Sequence, residues 1–103
     1  MHVLMACAGG MSSSLLANYL SKEAQKNDIS DFYIEAVGTM RVAKKLTERD
    51  WDIFLLAPQV RFHKEMLLQE LADYEIPFLL IDGPLYTPIG APKLFGQMME
   101  LLK

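Results

Sequence analysis

Val3-Leu4-Met5-Ala6-Cys7-Ala8-Gly9-Gly10-Met11-Ser12-Ser13-Ser14 is the stretch that decides how this chain folds. Four apolar residues in a row suit a strand buried on both faces, the condition of a parallel sheet. Gly9 and Gly10 break the run, and three hydroxyl residues follow as candidate helix N-caps. A helical period then takes over, with Leu15, Leu16, Tyr19 and Leu20 recurring up to the polar exit Lys26-Asn27-Asp28. The stretch reads as strand, loop, helix.

The same alternation continues along the chain. Phe32 to Val37 reads as a strand and Arg41 to Arg49 as a helix with Val42, Ala43 and Leu46 inward. Ile53 to Ala57 is a third strand, His63 to Tyr74 a helix, and Phe78 to Ile81 a fourth strand entered through Pro77. Lys93 to Leu102 closes the chain behind Pro92, with Leu94, Phe95, Met98, Met99 and Leu102 on one stripe. Right-handed crossovers place helices on both faces of a parallel sheet, so the expected fold is α/β, a three-layer sandwich around a four-stranded parallel, doubly wound sheet. No repeat, linker or low-complexity tract divides the sequence, and residues 1–103 are expected to form a single domain.

Composition narrows the function classes. With 51% hydrophobic residues and a net charge of -3, the chain has the makings of a modest core. Its apolar runs fall far short of the roughly 18 residues that a membrane span needs, so no direct membrane insertion is expected. Lys44-Lys45 is its longest basic cluster, which argues against nucleic acid as a partner. One cysteine excludes an internal disulfide and fits a reducing compartment. Leu4-Met5-Ala6-Cys7 has the look of a lipoprotein cleavage site, but no Lys or Arg precedes it and the apolar run is too short. A cytoplasmic domain is expected.

Cys7 is the candidate nucleophile. It stands where a strand ends, ahead of a loop whose glycines permit positive φ and whose hydroxyls lead into a helix. Backbone N–H groups of such a loop converge on an anion, and the helix N-terminus adds about half a unit of positive charge. The same field favours thiolate over thiol, so no histidine base is required. Residues Ala8, Gly9, Gly10, Met11, Ser12, Ser13 and Ser14 are the candidate phosphate-binding loop. The competing reading is a small buried hydrophobe, the commoner fate of a free cysteine. In a parallel sheet the loops after Ala6, Ala57 and Asp82 share one edge, where ligands bind.

The chain resembles an enzyme IIB subunit of the lactose/cellobiose branch of the phosphoenolpyruvate-dependent sugar phosphotransferase system (PTS), over essentially its full length. The family's loop of Cys-Ser-Ala-Gly-Met-Ser-Thr-Ser type is similar to residues Cys7 to Ser14, with Gly-Met-Ser retained at 10 to 12. The family's Gly-Pro-Gln-Ile resembles Ala57-Pro58-Gln59-Val60, and its Ile-Asp, Tyr and Gly pattern resembles Ile81-Asp82, Tyr86 and Gly90. The resemblance implies the phosphatase-like IIB fold and a relay without cofactor. In that relay a cysteine, here Cys7, accepts a phosphoryl group from a phosphohistidine on enzyme IIA. It then passes the group to sugar held by the membrane permease IIC, a β-glucoside or disaccharide such as cellobiose. Low-molecular-weight phosphatases place Arg six positions after their cysteine, and here that position is Ser13. Without a guanidinium fork, attack by water is poorly stabilised, which favours a carrier over a hydrolase. A degenerate phosphatase and a non-catalytic anion-binding module are the alternatives.

Other residues carry weaker signals. Ala8 lacks the hydroxyl often present at that place in the family. Gln59 either touches the phosphoryl group or satisfies its own turn, and Tyr86 either lines a docking surface or pins its proline-rich loop. Met11 offers adaptable contact to a partner or packs under the first helix. Arg61 and His63 read as solvated surface, and Asp82 as a turn former. His2, Cys7 and His63 have no metal-ligand spacing, and no metal is expected.

Overall fold

The computed structural model describes residues 1–8 and 11–102, with the backbone alone for residues 11–13. Four strands, β1 (His2–Cys7), β2 (Tyr33–Gly38), β3 (Ile53–Leu56) and β4 (Phe78–Leu80), form one sheet in the order β2-β1-β3-β4. All three pairings are parallel. The helices are α1 (Met11–Lys26), α2 (Val42–Leu46), α3 (Lys64–Leu71) and α4 (Ala91–Leu101).

The apolar run that opened the sequence becomes the middle of the sheet, with Val3 to Ala6 and Ile53 to Leu56 fully buried. Alternate residues feed two cores. Leu4, Ala6, Phe54 and Leu56 meet Val42 and Leu46 of α2 and Leu67 and Leu71 of α3 on one face. Val3, Met5, Ile53 and Leu55 meet Leu16, Leu20 and Ala24 of α1 and Leu94, Phe95 and Met98 of α4 on the other. This is the expected three-layer, doubly wound sandwich. Each fully buried leucine or phenylalanine contributes about 1.5–3 kcal/mol relative to exposure, so the two cores dominate stability.

Several boundaries and faces differ from the sequence reading. The helix expected over Arg41 to Arg49 is a 3-10 turn, Thr39–Arg41, followed by the five residues of α2. On so short a helix Val42 and Leu46 share the inward side, while Ala43, about 100° further round, is exposed. Leu15 is exposed for the same reason, beside the buried Leu16. The helix expected from His63 to Tyr74 is confined to α3 behind a 3-10 stretch, Pro58–His63, kinked at Val60. Glu75, with φ 53, turns the chain away beyond α3.

Helix α1 ends as its polar exit suggests. Asp28 takes a left-handed conformation (φ 61), its N–H donates to the Gln25 carbonyl at 3.2 Å, and the Ile29 N–H donates to the Ala24 carbonyl at 2.9 Å. This is the Schellman arrangement, with Ile29 returned to the core. Polar contacts tie β2 to α2. The Lys45 ammonium pairs with Glu35 and holds that carboxyl below its usual range, helped by the Tyr33 hydroxyl, which donates to Glu35 at 2.7 Å. The Trp51 indole N–H donates to the Lys45 carbonyl at 2.9 Å, closing the end of α2.

Candidate functional site

Strand order fixes where chemistry can sit. The chain leaves β1 through α1 toward β2, then crosses through α2 to β3 on the other side, so the connections diverge between β1 and β3. In open α/β sheets the crevice at such a switch point, beyond the carboxyl ends of the strands, is the binding edge. Cys7 is the last residue of β1, opposite Gly38 of β2, and the Ala57 N–H, just past β3, donates to the Ala6 carbonyl at 2.9 Å. The cysteine therefore ends a central strand at the switch point.

Its thiol faces inward. Cys7 is 3% exposed, belongs to the same core cluster as Val37, Ala57 and Val60, and donates a 3.4 Å hydrogen bond to the Val37 carbonyl. Sequence patterning gives no hint of that acceptor, because a backbone carbonyl carries no residue signature. Ala8 is exposed directly beyond it. Gly9 and Gly10, assigned to the phosphate-binding loop, lie outside the described residues. Met11, Ser12, Ser13 and Ser14 form the first turn of α1. The sequence pattern suggests the three serines as N-caps; because the helix begins at Met11, they stand inside its first turn instead, and Ser14 is exposed.

The other candidates share this edge. Gln59, Arg61 and His63 lie on the 3-10 stretch after β3, with Gln59 and Arg61 exposed and the His63 ring 4.4 Å from that of Phe62. Asp82 follows β4: its carbonyl accepts from the Leu85 N–H at 2.9 Å, while its exposed side chain makes no cap to the 3-10 turn Gly83–Leu85. Tyr86 packs against both cores. Gly90 closes the segment where close approach demands it, since a Cβ there would lie 2.5 Å from Leu85 Cα. His2 is held at the opposite end of β1, away from Cys7 and His63.

The family described as PTS system, Lactose/Cellobiose specific IIB subunit, matches residues 2–82. The "PTS system oligo-beta-mannoside-specific EIIB component" of Bacillus subtilis is 32% identical over 97% of this chain and 94% of that protein. The chain belongs to the lactose/cellobiose IIB family. As a IIB subunit it is a phosphotransferase component of sugar transport. The cellobiose-specific EIIB component of Lactococcus lactis is 29% identical over 97% of the chain. The lactose-specific EIICB component of Staphylococcus epidermidis is 32% identical over 85% of this chain, which covers 15% of that protein. The cellobiose-specific IIB protein of Borrelia burgdorferi superposes with a TM-score of 0.75 at 29% identity, covering 99% of this chain and 91% of that one. The lactose-specific IIB domain of Streptococcus pneumoniae shares the fold, with a TM-score of 0.84 at 21% identity over 100% of this chain and 98% of that one. Among its described residues this IIB has no helix long and apolar enough to cross a membrane.

Three residues of the edge escaped the sequence reading: Met40, Phe62 and Ile89, all strongly exposed. The signal was present. Each is a large apolar residue in the connection between a strand and the following helix, flanked by Arg41, by Arg61 and His63, or by Pro88 and Gly90, where no core-facing period explains it.

Proposed function

We propose that Cys7 is the phosphoryl-carrying residue of this IIB, accepting the group from the phosphohistidine of enzyme IIA and delivering it to sugar bound by the membrane permease IIC. The observation that carries this reading is the place of the chain's one cysteine, at the end of a central strand, at the switch point, one short loop ahead of α1. In the first step the Cys7 sulfur, having given up its proton, attacks phosphorus in line. The P–S bond forms as the P–N bond breaks, and the departing imidazole nitrogen keeps the electron pair and takes up a proton. In the second step a sugar hydroxyl oxygen attacks, the O–P bond forms, the P–S bond breaks, and the proton released by the hydroxyl restores the thiol. Negative charge on the equatorial oxygens is met by backbone N–H groups of residues 9 to 14 and by the positive end of α1. Ser13 in place of an arginine leaves hydrolysis without its usual support.

Residues 1–103 act as one carrier domain on the cytoplasmic side, meeting the permease transiently. The EIICB designation of one relative, which joins C and B in one chain, supports the permease as acceptor. The sugar is a β-linked oligosaccharide of the cellobiose kind, in keeping with the oligo-β-mannoside and cellobiose relatives. Incubation with phosphorylated enzyme IIA is expected to place an iodine-sensitive phosphate on Cys7, located by mass spectrometry and absent from Cys7→Ala. An unlabelled wild type, or label that survives in Cys7→Ala, overturns the assignment.

A further inference from the structure

Two sulfur atoms stand at the same end of the sheet with opposite access to water. Cys7 closes β1 opposite Gly38, and Met40 lies two residues beyond Gly38, in the 3-10 turn Thr39–Arg41. With about 4.8 Å between paired strands and about 3.8 Å per residue, the two Cα atoms are within about 12 Å of each other. Residues i and i+3 of a 3-10 turn lie on one side, so the burial of Thr39 and Val42 leaves the Met40 side chain facing outward. Met40 is 84% exposed, whereas Cys7 is 3% exposed.

Met40 also differs from the other methionines whose side chains the structure describes. Met5 and Met98 are fully buried, one in the central strand β1 and one on α4. Met66 packs against the core under α2 and α3, and Met1 and Met99 against the core under α1 and α4. Packing of that kind hides the lone pairs of a thioether from a reagent in water. Met40 alone of this group presents its sulfur to solvent on most sides.

These accessibilities invert the usual order of sulfur oxidation. Peroxides react with thiolate, so an exposed cysteine is ordinarily the first sulfur lost. Here the Cys7 sulfur donates its hydrogen to the Val37 carbonyl at 3.4 Å, which keeps it a thiol and turned inward. To reach sulfenic acid it must break that bond, release the proton and emerge. A thioether has no proton to lose, and its lone pair attacks directly.

We propose that Met40 is a modification site, the sulfur that a hydroperoxide oxidises first, while Cys7 beside it stays reduced. The Met40 sulfur attacks one oxygen of the peroxide, the S–O bond forms and the O–O bond breaks. The departing oxygen keeps the electron pair and takes up the proton carried by the transferred one, so sulfoxide and water form from hydrogen peroxide. Sulfur is oxidised by two electrons and the peroxide reduced by two. The product is a polar, chiral side chain that methionine sulfoxide reductases can restore. The chain thereby registers peroxide at the edge of its candidate site and retains its one thiol. Oxidation at Met40 requires nothing of the proposed relay.

The test is a time course of the full chain in hydrogen peroxide, read by mass spectrometry of the peptides that carry Met40, Met66, Met99 and Cys7. In the native protein Met40 is expected to gain one oxygen about tenfold or more faster than Met66 or Met99, with the free thiol undiminished when Met40 is half converted. In concentrated urea the three methionines should converge on one rate and Cys7 should be lost first. Methionine sulfoxide reductases with a dithiol should remove the added mass. Met40→Leu, which keeps an exposed apolar side chain of similar size, should lack the fast phase. A native Met40 that oxidises no faster than Met66 and Met99, or a native Cys7 lost ahead of Met40, overturns the proposal.

Discussion

Gly90→Ala tests whether the segment 83–90 is held by contact with the backbone beneath it. A Cβ at Gly90 would stand 2.5 Å from Leu85 Cα and 2.9 Å from its carbonyl carbon and oxygen. These are backbone atoms that no rotamer change can clear, so the two segments must part by nearly 1 Å to reach an ordinary contact of 3.4 Å. Overpacking of that kind costs about 1–3 kcal/mol. The unfolded chain works in the opposite direction: φ -81 and ψ -10 at Gly90 are accessible to alanine, so its added stiffness returns about 0.4–1 kcal/mol. The clash outweighs that gain. A net loss of about 1–2 kcal/mol lowers the melting temperature of a domain this size by about 4–15 °C. Gly96→Ala is the internal control, because Gly96 is exposed within α4 with nothing within 4 Å of its would-be Cβ. Alanine there should stabilise by about 0.5–1 kcal/mol and raise the melting temperature by several degrees. Calorimetric melts of the two variants should thus move in opposite directions. A Gly90→Ala variant melting at or above wild type would refute the reasoning.

Two further outcomes follow from buried and paired groups. The Glu35 carboxyl is held below its usual range, first by Lys45 and then by the Tyr33 hydroxyl. A depressed carboxylate stabilises the fold above its unfolded pKa, about 4.3, and that gain is lost as pH falls through the lower folded value. The urea midpoints of wild type and Glu35→Gln should therefore differ at pH 7 and converge below about pH 4, and a gap that stays constant down to pH 3 would contradict the pairing. Cys7, 3% exposed and bonded to the Val37 carbonyl, should react with iodoacetamide an order of magnitude or more slower in the native protein than in concentrated urea. Equal rates, followed by mass spectrometry, would place the thiol in solvent.

The architecture was legible because its signals are continuous and strong. Val3 to Ala6 and Ile53 to Leu56 are uninterrupted apolar runs, and α4 carries a clean stripe in Leu94, Phe95 and Met98. Short helices were read less well. Over the five residues of α2 an apolar Ala43 looks the same whether it faces the core or water, the helical readings run past Leu46 and Leu71 to Arg49 and Tyr74, and the 3-10 turns opened by Thr39 and Pro58 have no period of their own to show them. Cys7 was singled out by its place between an apolar run and a glycine pair, and the structure puts it at the end of β1. Its inward orientation was not legible, since it depends on the carbonyl of Val37, 30 residues away, which becomes a neighbour only through the β1–β2 register. The exposed residues of the edge escaped notice for a related reason: Met40, Phe62 and Ile89 are far apart in sequence, and only the parallel topology gathers them.

In the proposed relay the burial of Cys7 has to be reconciled with its task, because a sulfur shielded from water must still be reached by a much larger protein. The sheet resolves the conflict by geometry. With strands on either side of β1 and helices over both of its faces, the end of the strand at Cys7 is its open side, the edge where the connections carrying Met40, Phe62 and Ile89 lie. Bulk solvent is met by an inward thiol, and for the proposed relay to run a partner has to draw that thiol from the Val37 carbonyl. In the proposed relay that asymmetry is what a carrier needs. Phosphate on sulfur is of use only if the next group to reach it belongs to the acceptor, and with Ser13 where a hydrolase would place arginine, neither access nor charge stabilisation favours water.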